Sequence, residues 1–110
     1  MKKIDNMIFK IKADFLRSLA HPVRLQIIEH LKDKEVSVGR LVQELGVEQS
    51  SLSRHLAILR DLGVLEARQD RASVFYTLQD HDIFEVLRPI AELLRKKLKK
   101  SQKLLDSLGK

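Results

Sequence analysis

The chain has 110 residues, 44% of them hydrophobic and 33% charged, with a formal net charge of +6 and no cysteine. That length suits one compact core, so a second folded domain is not expected, and the lack of cysteine excludes disulfides, thiolate metal ligation and thiol catalysis. No apolar run nears the about 18 residues of a membrane helix, and Lys and Asp interrupt the N-terminal segment MKKIDNMIFKIKADF, so a cytoplasmic protein without signal peptide or membrane span is expected.

In chain order, residues 5–19 place Ile8, Ile11, Phe15, Leu16 and Leu19 at three- and four-residue steps, which predicts an amphipathic helix. Ala20-His21-Pro22 interrupts it, because the residue before a proline is driven out of the helical region while proline suits a first helical position. A second helix follows, with Val23, Ile27, Ile28 and Leu31 on one side and Lys32-Asp33-Lys34-Glu35 ending it. Ser37 is placed to cap a short third helix carrying Val38, Leu41, Val42 and Leu45, which Gly46 closes in a left-handed conformation. From Gln49 to Leu62 the leucines at 52, 56, 59 and 62 fall on one face, and Gly63 ends this fourth helix.

After Gly63 the period changes to two. Residues 64–68 and 73–78 read as a β-hairpin, with Gln69-Asp70-Arg71-Ala72 between them and no Asn-Gly or Asp-Gly to fix the register. A last helix is expected over about 82–108, where Leu87, Ile90, Leu94, Leu98, Leu105 and Leu108 recur; Pro89 within it predicts a kink or a helix that starts near Arg88. Asp80 or Asp82 is placed to cap it. Residues 92–110 hold seven basic groups, Arg95, Lys96, Lys97, Lys99, Lys100, Lys103 and Lys110, against two acidic ones, whereas residues 36–79 hold five of each. The C-terminal excess fits a solvated helix face, flanking phosphate contacts or an acidic partner.

Two short helices joined by Gly46-Val47-Glu48 and followed by a hairpin give the order of a winged helix-turn-helix, mainly α with a small β-hairpin (α-α-α-α-β-β-α): helix-turn-helix about 38–62 and wing about 64–78. Packing the leucine face of the fourth helix leaves its N-terminal end open. Ser50, Ser51 and Ser53 are small enough for close approach to phosphates or base edges, and the helix start favours anions. Gln49 and Arg54 have the reach and the donors for base edges, and the hairpin would supply Arg68 and Arg71 at its tip to a minor groove or its phosphates. His55, one step from core-facing Leu56, fits either a DNA contact or a packing histidine. No carboxylate pair, phosphate loop or nucleophile arrangement at useful spacing points to an enzyme, and no cofactor is called for.

The stretch Ala20 to Ile28 (AHPVRLQII), Leu45-Gly46-Val47, Gln49 to Leu56 (QSSLSRHL) and Leu62-Gly63-Val64-Leu65 closely resembles the ArsR/SmtB family of bacterial and archaeal transcriptional repressors. The resemblance implies a winged-helix homodimer, built by the first and last helices (about 5–19 and 82–108), that binds an imperfect palindrome in double-stranded DNA upstream of its own operon and leaves it when an inducer binds. It also implies that the fourth helix is the recognition helix. The family's metal sites are not kept. Ser37 and Gly39 stand in the two cysteine places, and of an Asp-x-His and His-x-x-Glu set only Asp80 remains, with Asp82, Leu93 and Lys96 in the other places. Glu48 stands where the family often has a serine cap. The inducer, if one exists, is therefore not a thiolate-bound metal. The competing reading is a winged-helix interaction module or antirepressor whose basic tail docks an acidic protein.

Overall fold

The computed structural model describes residues 2–108, so Lys110 of the basic stretch lies outside the described residues. Residues up to Asp80 form one compact unit and those from His81 onward a second. In the first, α1 (Lys3–Leu19) begins two residues before the periodic pattern, buries Leu19, and exposes Ile4, Met7, Ile8, Phe9, Ile11 and Leu16. The chain then turns through Ala20 and His21 into α2 (Pro22–His30), with Pro22 at its start. His21 is the cap: its Nδ1 accepts from the Val23 amide at 3.1 Å. Histidine stands in here for the usual hydroxyl or carboxylate at a helix start.

β1 (Val36–Ser37) leads directly into α3 (Val38–Leu45), and the Ser37 hydroxyl accepts from the Arg40 amide at 3.2 Å, as the capping expectation requires. Gly46 closes α3 at φ 64°, a left-handed conformation that costs a residue with a Cβ about 1–2 kcal/mol. After Val47 and Glu48, α4 (Gln49–Asp61) begins. It ends on paired bonds, Val64 amide to Leu59 carbonyl and Gly63 amide to Arg60 carbonyl, both 3.0 Å, with Gly63 at φ 83°.

β2 (Leu65–Asp70) and β3 (Ser73–Leu78) pair antiparallel with Leu65 opposite Leu78 and Asp70 opposite Ser73. The wing is therefore longer than the hairpin expected, and its connection shrinks to Arg71-Ala72, with Arg71 at φ 57° supplying the left-handed turn without glycine. The expected two strands are three. Val36 pairs with Tyr76 and Ser37 with Phe75, so the sheet runs β1-β3-β2. Two residues are too few to show alternation, which is why β1 leaves no trace in the sequence pattern.

The core of this unit comprises Ile27, Ile28, Leu31, Leu41, Leu52, Leu56, Leu59 and Leu65, all essentially inaccessible to solvent. In the second unit, α5 (Ile83–Leu108) runs 26 residues from Ile83 through Pro89. The start near Arg88 expected from proline is thus corrected. Pro89 and Glu85 lie on an exposed stretch, where the Glu85 carbonyl that proline deprives of a partner has access to water. Among the described residues no helix is long and apolar enough to cross a membrane.

Truncating Leu56, which has no exposed surface, leaves a void in the core. Leu56→Ala is expected to lower unfolding stability by about 2–5 kcal/mol in a urea titration. A loss below about 0.5 kcal/mol, the size of an ordinary surface change, would contradict the packing described.

Candidate nucleic-acid interface

One face of α4 carries Leu52, Leu56 and Leu59, each at 0% exposure. Because a helix repeats every 3.6 residues, burying that face directs Ser50, Ser53 and Arg54 to solvent, while Ser51 is half-buried on the flank and Gln49, on the leucine side, is exposed because it is the first residue of the helix. The exposed set occupies the first two turns, where the leading amides precede the first intrahelical bond, from the Leu52 amide to the Glu48 carbonyl at 2.9 Å. Glu48 gives no side-chain cap; its carboxylate instead accepts the Ser50 hydroxyl at 3.1 Å. An anion thus sits beside the helix start and holds one of the small polar groups expected to face outward.

His55 does not belong to this surface. It is 7% exposed, and its Nδ1 accepts from the Arg24 Nε at 3.1 Å. The His21 ring lies 4.3 Å away between centroids. Of the two roles the sequence allows, packing is the one realised: the step from Leu56 turns His55 toward α2, not toward the open face. Arg24 also donates from Nη1 to the Ser18 carbonyl at 2.6 Å. Sequence reasoning gave Arg24 no role, since neither periodicity nor charge pattern marks a link between residues 31 apart.

The wing separates two arginines that were expected together at its tip. Arg71 is at the turn and exposed. Arg68 instead lies in the body of β2 opposite Phe75, with its guanidinium 5.0 Å from that ring's centroid. Two hydrogen bonds tie Arg68 to Glu35, from Nη2 at 2.6 Å and from Nε at 3.1 Å, and Asp70 lies 3.6 Å from Nη1. The Arg68 hydrogen bonds and charge hold the Glu35 carboxyl below its ordinary pKa, so the pair persists at neutral pH and loosens only in acid as Glu35 protonates. Much of the Arg68 charge is thereby spent within the protein.

The residues in the family's metal-ligand places do not suit a metal. The Ser37 hydroxyl is engaged in capping α3, Gly39 has no side chain, and among the described residues no group of three or more His, Asp or Glu side chains is arranged to hold an ion.

A family profile for bacterial regulatory proteins of the arsR family matches residues 21–67. The uncharacterized HTH-type transcriptional regulator Rv0081 of Mycobacterium tuberculosis (strain H37Rv) is 37% identical over 102 residues, covering 92% of this chain and 90% of that protein. The Rv0081 crystal structure aligns with a TM-score of 0.77 at 38% identity, over 84% of this chain and 94% of the other. The transcriptional repressor BigR from Xylella fastidiosa aligns at TM-score 0.69 and 32% identity, over 84% and 96% of the two chains. The homodimeric winged helix-turn-helix DNA-binding domain of Mb0332 (residues 1–100) from Mycobacterium bovis shares the fold, at TM-score 0.75 and 21% identity over 91% and 93%. With α3, the Gly46-Val47-Glu48 turn and α4 in this arrangement beside the β2-β3 wing, the chain belongs to the ArsR family of winged helix-turn-helix regulators, which bind DNA to control transcription and are not enzymes.

Proposed function

We propose that the protein is a repressor of its own operon that binds an inverted repeat as a homodimer, with the first two turns of α4 in the major groove. The observation that carries this reading is the exposed leading end of α4, with Ser50, Ser53 and Arg54 facing away from three fully buried leucines and Gln49 open at its first residue. Ser51 lines the same helix start from its flank. Arg54 suits guanine and Gln49 adenine, while the serines permit close backbone approach to phosphates. Arg71 reaches a neighbouring groove or its phosphates from the wing turn, and Arg68 plays a lesser part because Glu35 already neutralises it.

A dimer is supported by apolar surface that α1 and α5 each leave open, including Ile11 at 64% on α1 and Leu93, Leu94, Leu98 and Leu105 on α5. Faces of this size on a solitary soluble chain mark association sites. The homodimeric Mb0332 domain points the same way. A twofold pair presents α4 twice, which is why the operator would be a palindrome. Residues 38–62 and 65–78 act together as one DNA-binding domain. The acidic-protein alternative has only the basic stretch of α5 behind it, whereas the α4 surface has the composition of a base reader.

Arg54→Ala is expected to cost about 1–3 kcal/mol of operator affinity and to relax sequence preference, read by gel shift on matched and mismatched duplexes. An unchanged affinity for both would remove Arg54 from the interface, and tighter binding to acidic protein than to any duplex would overturn the DNA reading. Arg71→Gly separates backbone from charge: relief of the left-handed arginine is expected to leave stability equal or raised by up to about 1 kcal/mol. The same change is expected to shallow the log-log salt slope of DNA binding by about one. Arg68→Ala is expected to change that slope less; the reverse ranking would contradict the pairing with Glu35. Added zinc is expected to leave operator affinity unchanged, and a tenfold or so fall would expose a site built between subunits.

A further inference from the structure

Behind the open face of α4 lies a half-buried polar link that leucine packing alone does not require. Arg24, on α2, donates from Nη1 to the Ser18 carbonyl at the end of α1 (2.6 Å) and from Nε to His55 Nδ1 on α4 (3.1 Å). A guanidinium has donors only and stays charged, so the His55 nitrogen facing it must carry a lone pair. His55 is therefore neutral with its proton on Nε2. Protonating Nδ1 would set N–H against N–H and a second positive charge against the guanidinium.

The groups acting on His55 offer no compensation. They are His21, the cap of α2, Arg24 from α2 and Arg54 from α4, with no carboxylate among them. His21 lies 4.3 Å away and has its own Nδ1 committed to the Val23 amide. Burial, and after it these three neighbours, hold the His55 pKa below its ordinary value, in keeping with the hydrogen-bond argument.

We infer that Arg24 and His55 are positioning residues for α4, and that sequence-specific DNA binding requires the neutral Arg24–His55 link, so that mild acid lowers operator discrimination. This rests on the DNA-binding reading above. The leucine face keeps α4 on the core when the link opens, so the expected loss is of placement rather than of fold; base readout tolerates only small displacements. For a base held neutral by the fold, the contribution is fully present above the unfolded value, about pH 6.5, and is lost as pH falls below it through the folded value. The field of DNA favours protonation of any nearby histidine, on any duplex, so the informative quantity is the ratio of specific to non-specific affinity.

The test uses the full chain and a duplex enriched from a random library at about pH 7.5, with a scrambled duplex as reference, at fixed ionic strength. Between about pH 7.5 and 5 the wild-type ratio is expected to fall about threefold or more, and by less than about thirtyfold because the folded pKa lies below the ordinary 6.5 and each unit below it removes up to a factor of ten. In His55→Asn, whose amide oxygen accepts from Arg24 but does not titrate, the ratio is expected to change by about twofold or less. A flat wild-type ratio, an equal fall in His55→Asn, or loss of the pH dependence in His21→Asn instead would overturn the inference. Nitrogen-15 NMR of the wild-type chain without DNA supplies a readout independent of variants: His55 is expected as the Nε2-protonated neutral ring near pH 7.5, and the opposite tautomer or a doubly protonated ring overturns the link. If no duplex enriches at any pH, the DNA reading fails, while the NMR result still decides the link itself.

Discussion

Leu52, Leu56 and Leu59 have no exposed surface, and in a helix of 13 residues their seating fixes the direction of every other side chain. With 3.6 residues to the turn, there is no rotation of α4 that keeps those leucines in the core and hides Ser50, Ser53 and Arg54, while Gln49 stays open as the first residue of the helix. The polar face is thus a consequence of hydrophobic burial, at roughly 1.5–3 kcal/mol per leucine, and not of any attraction among the polar groups themselves. The left-handed Gly46 and the paired terminal bonds at Gly63 set where the helix begins and ends, and its last turn feeds the sheet.

The electrostatics follow a similar economy. Residues 36–79 are neutral overall, and two of their arginines are paired within the protein: Arg68 with Glu35 and Asp70, and Arg40 with Glu44, which also holds His30. On the proposed reading, affinity for DNA depends on a few cations not paired in this way, Arg54 and Arg71 foremost, together with the oriented amides at the start of α4. A surface poor in free positive charge binds all DNA weakly and leaves base contacts to carry more of the discrimination.

Much of this was legible in the residues. Helix periodicity, Ser37 as a cap, Gly46 as a left-handed stop and the change to period two after Gly63 are local signals, and each names a structure that forms from its own segment. The family resemblance rested on the same segments. What was not legible depends on residues far apart in sequence: β1 exists because Val36 meets Tyr76, Arg68 leaves the wing surface because Glu35 reaches it, and His55 turns inward to accept from Arg24. Pro89 misled in the other direction, because an exposed helix tolerates a missing amide that a buried one would not. His21 as a cap was hidden by chemistry, since a ring nitrogen serves where a hydroxyl or carboxylate is expected.

The central claim, that a symmetric pair presents the leading face of α4 to two successive major grooves, is open to a direct measurement because the chain has no cysteine of its own. A Ser53→Cys variant carries a unique thiol on that face, to which a DNA-cleaving iron chelate is attached, and the cleavage pattern on an enriched duplex is mapped. Two symmetric clusters of cuts in the major groove, about 10 base pairs apart, are predicted. Cleavage at a single locus, or none where the protein is bound, would contradict the account.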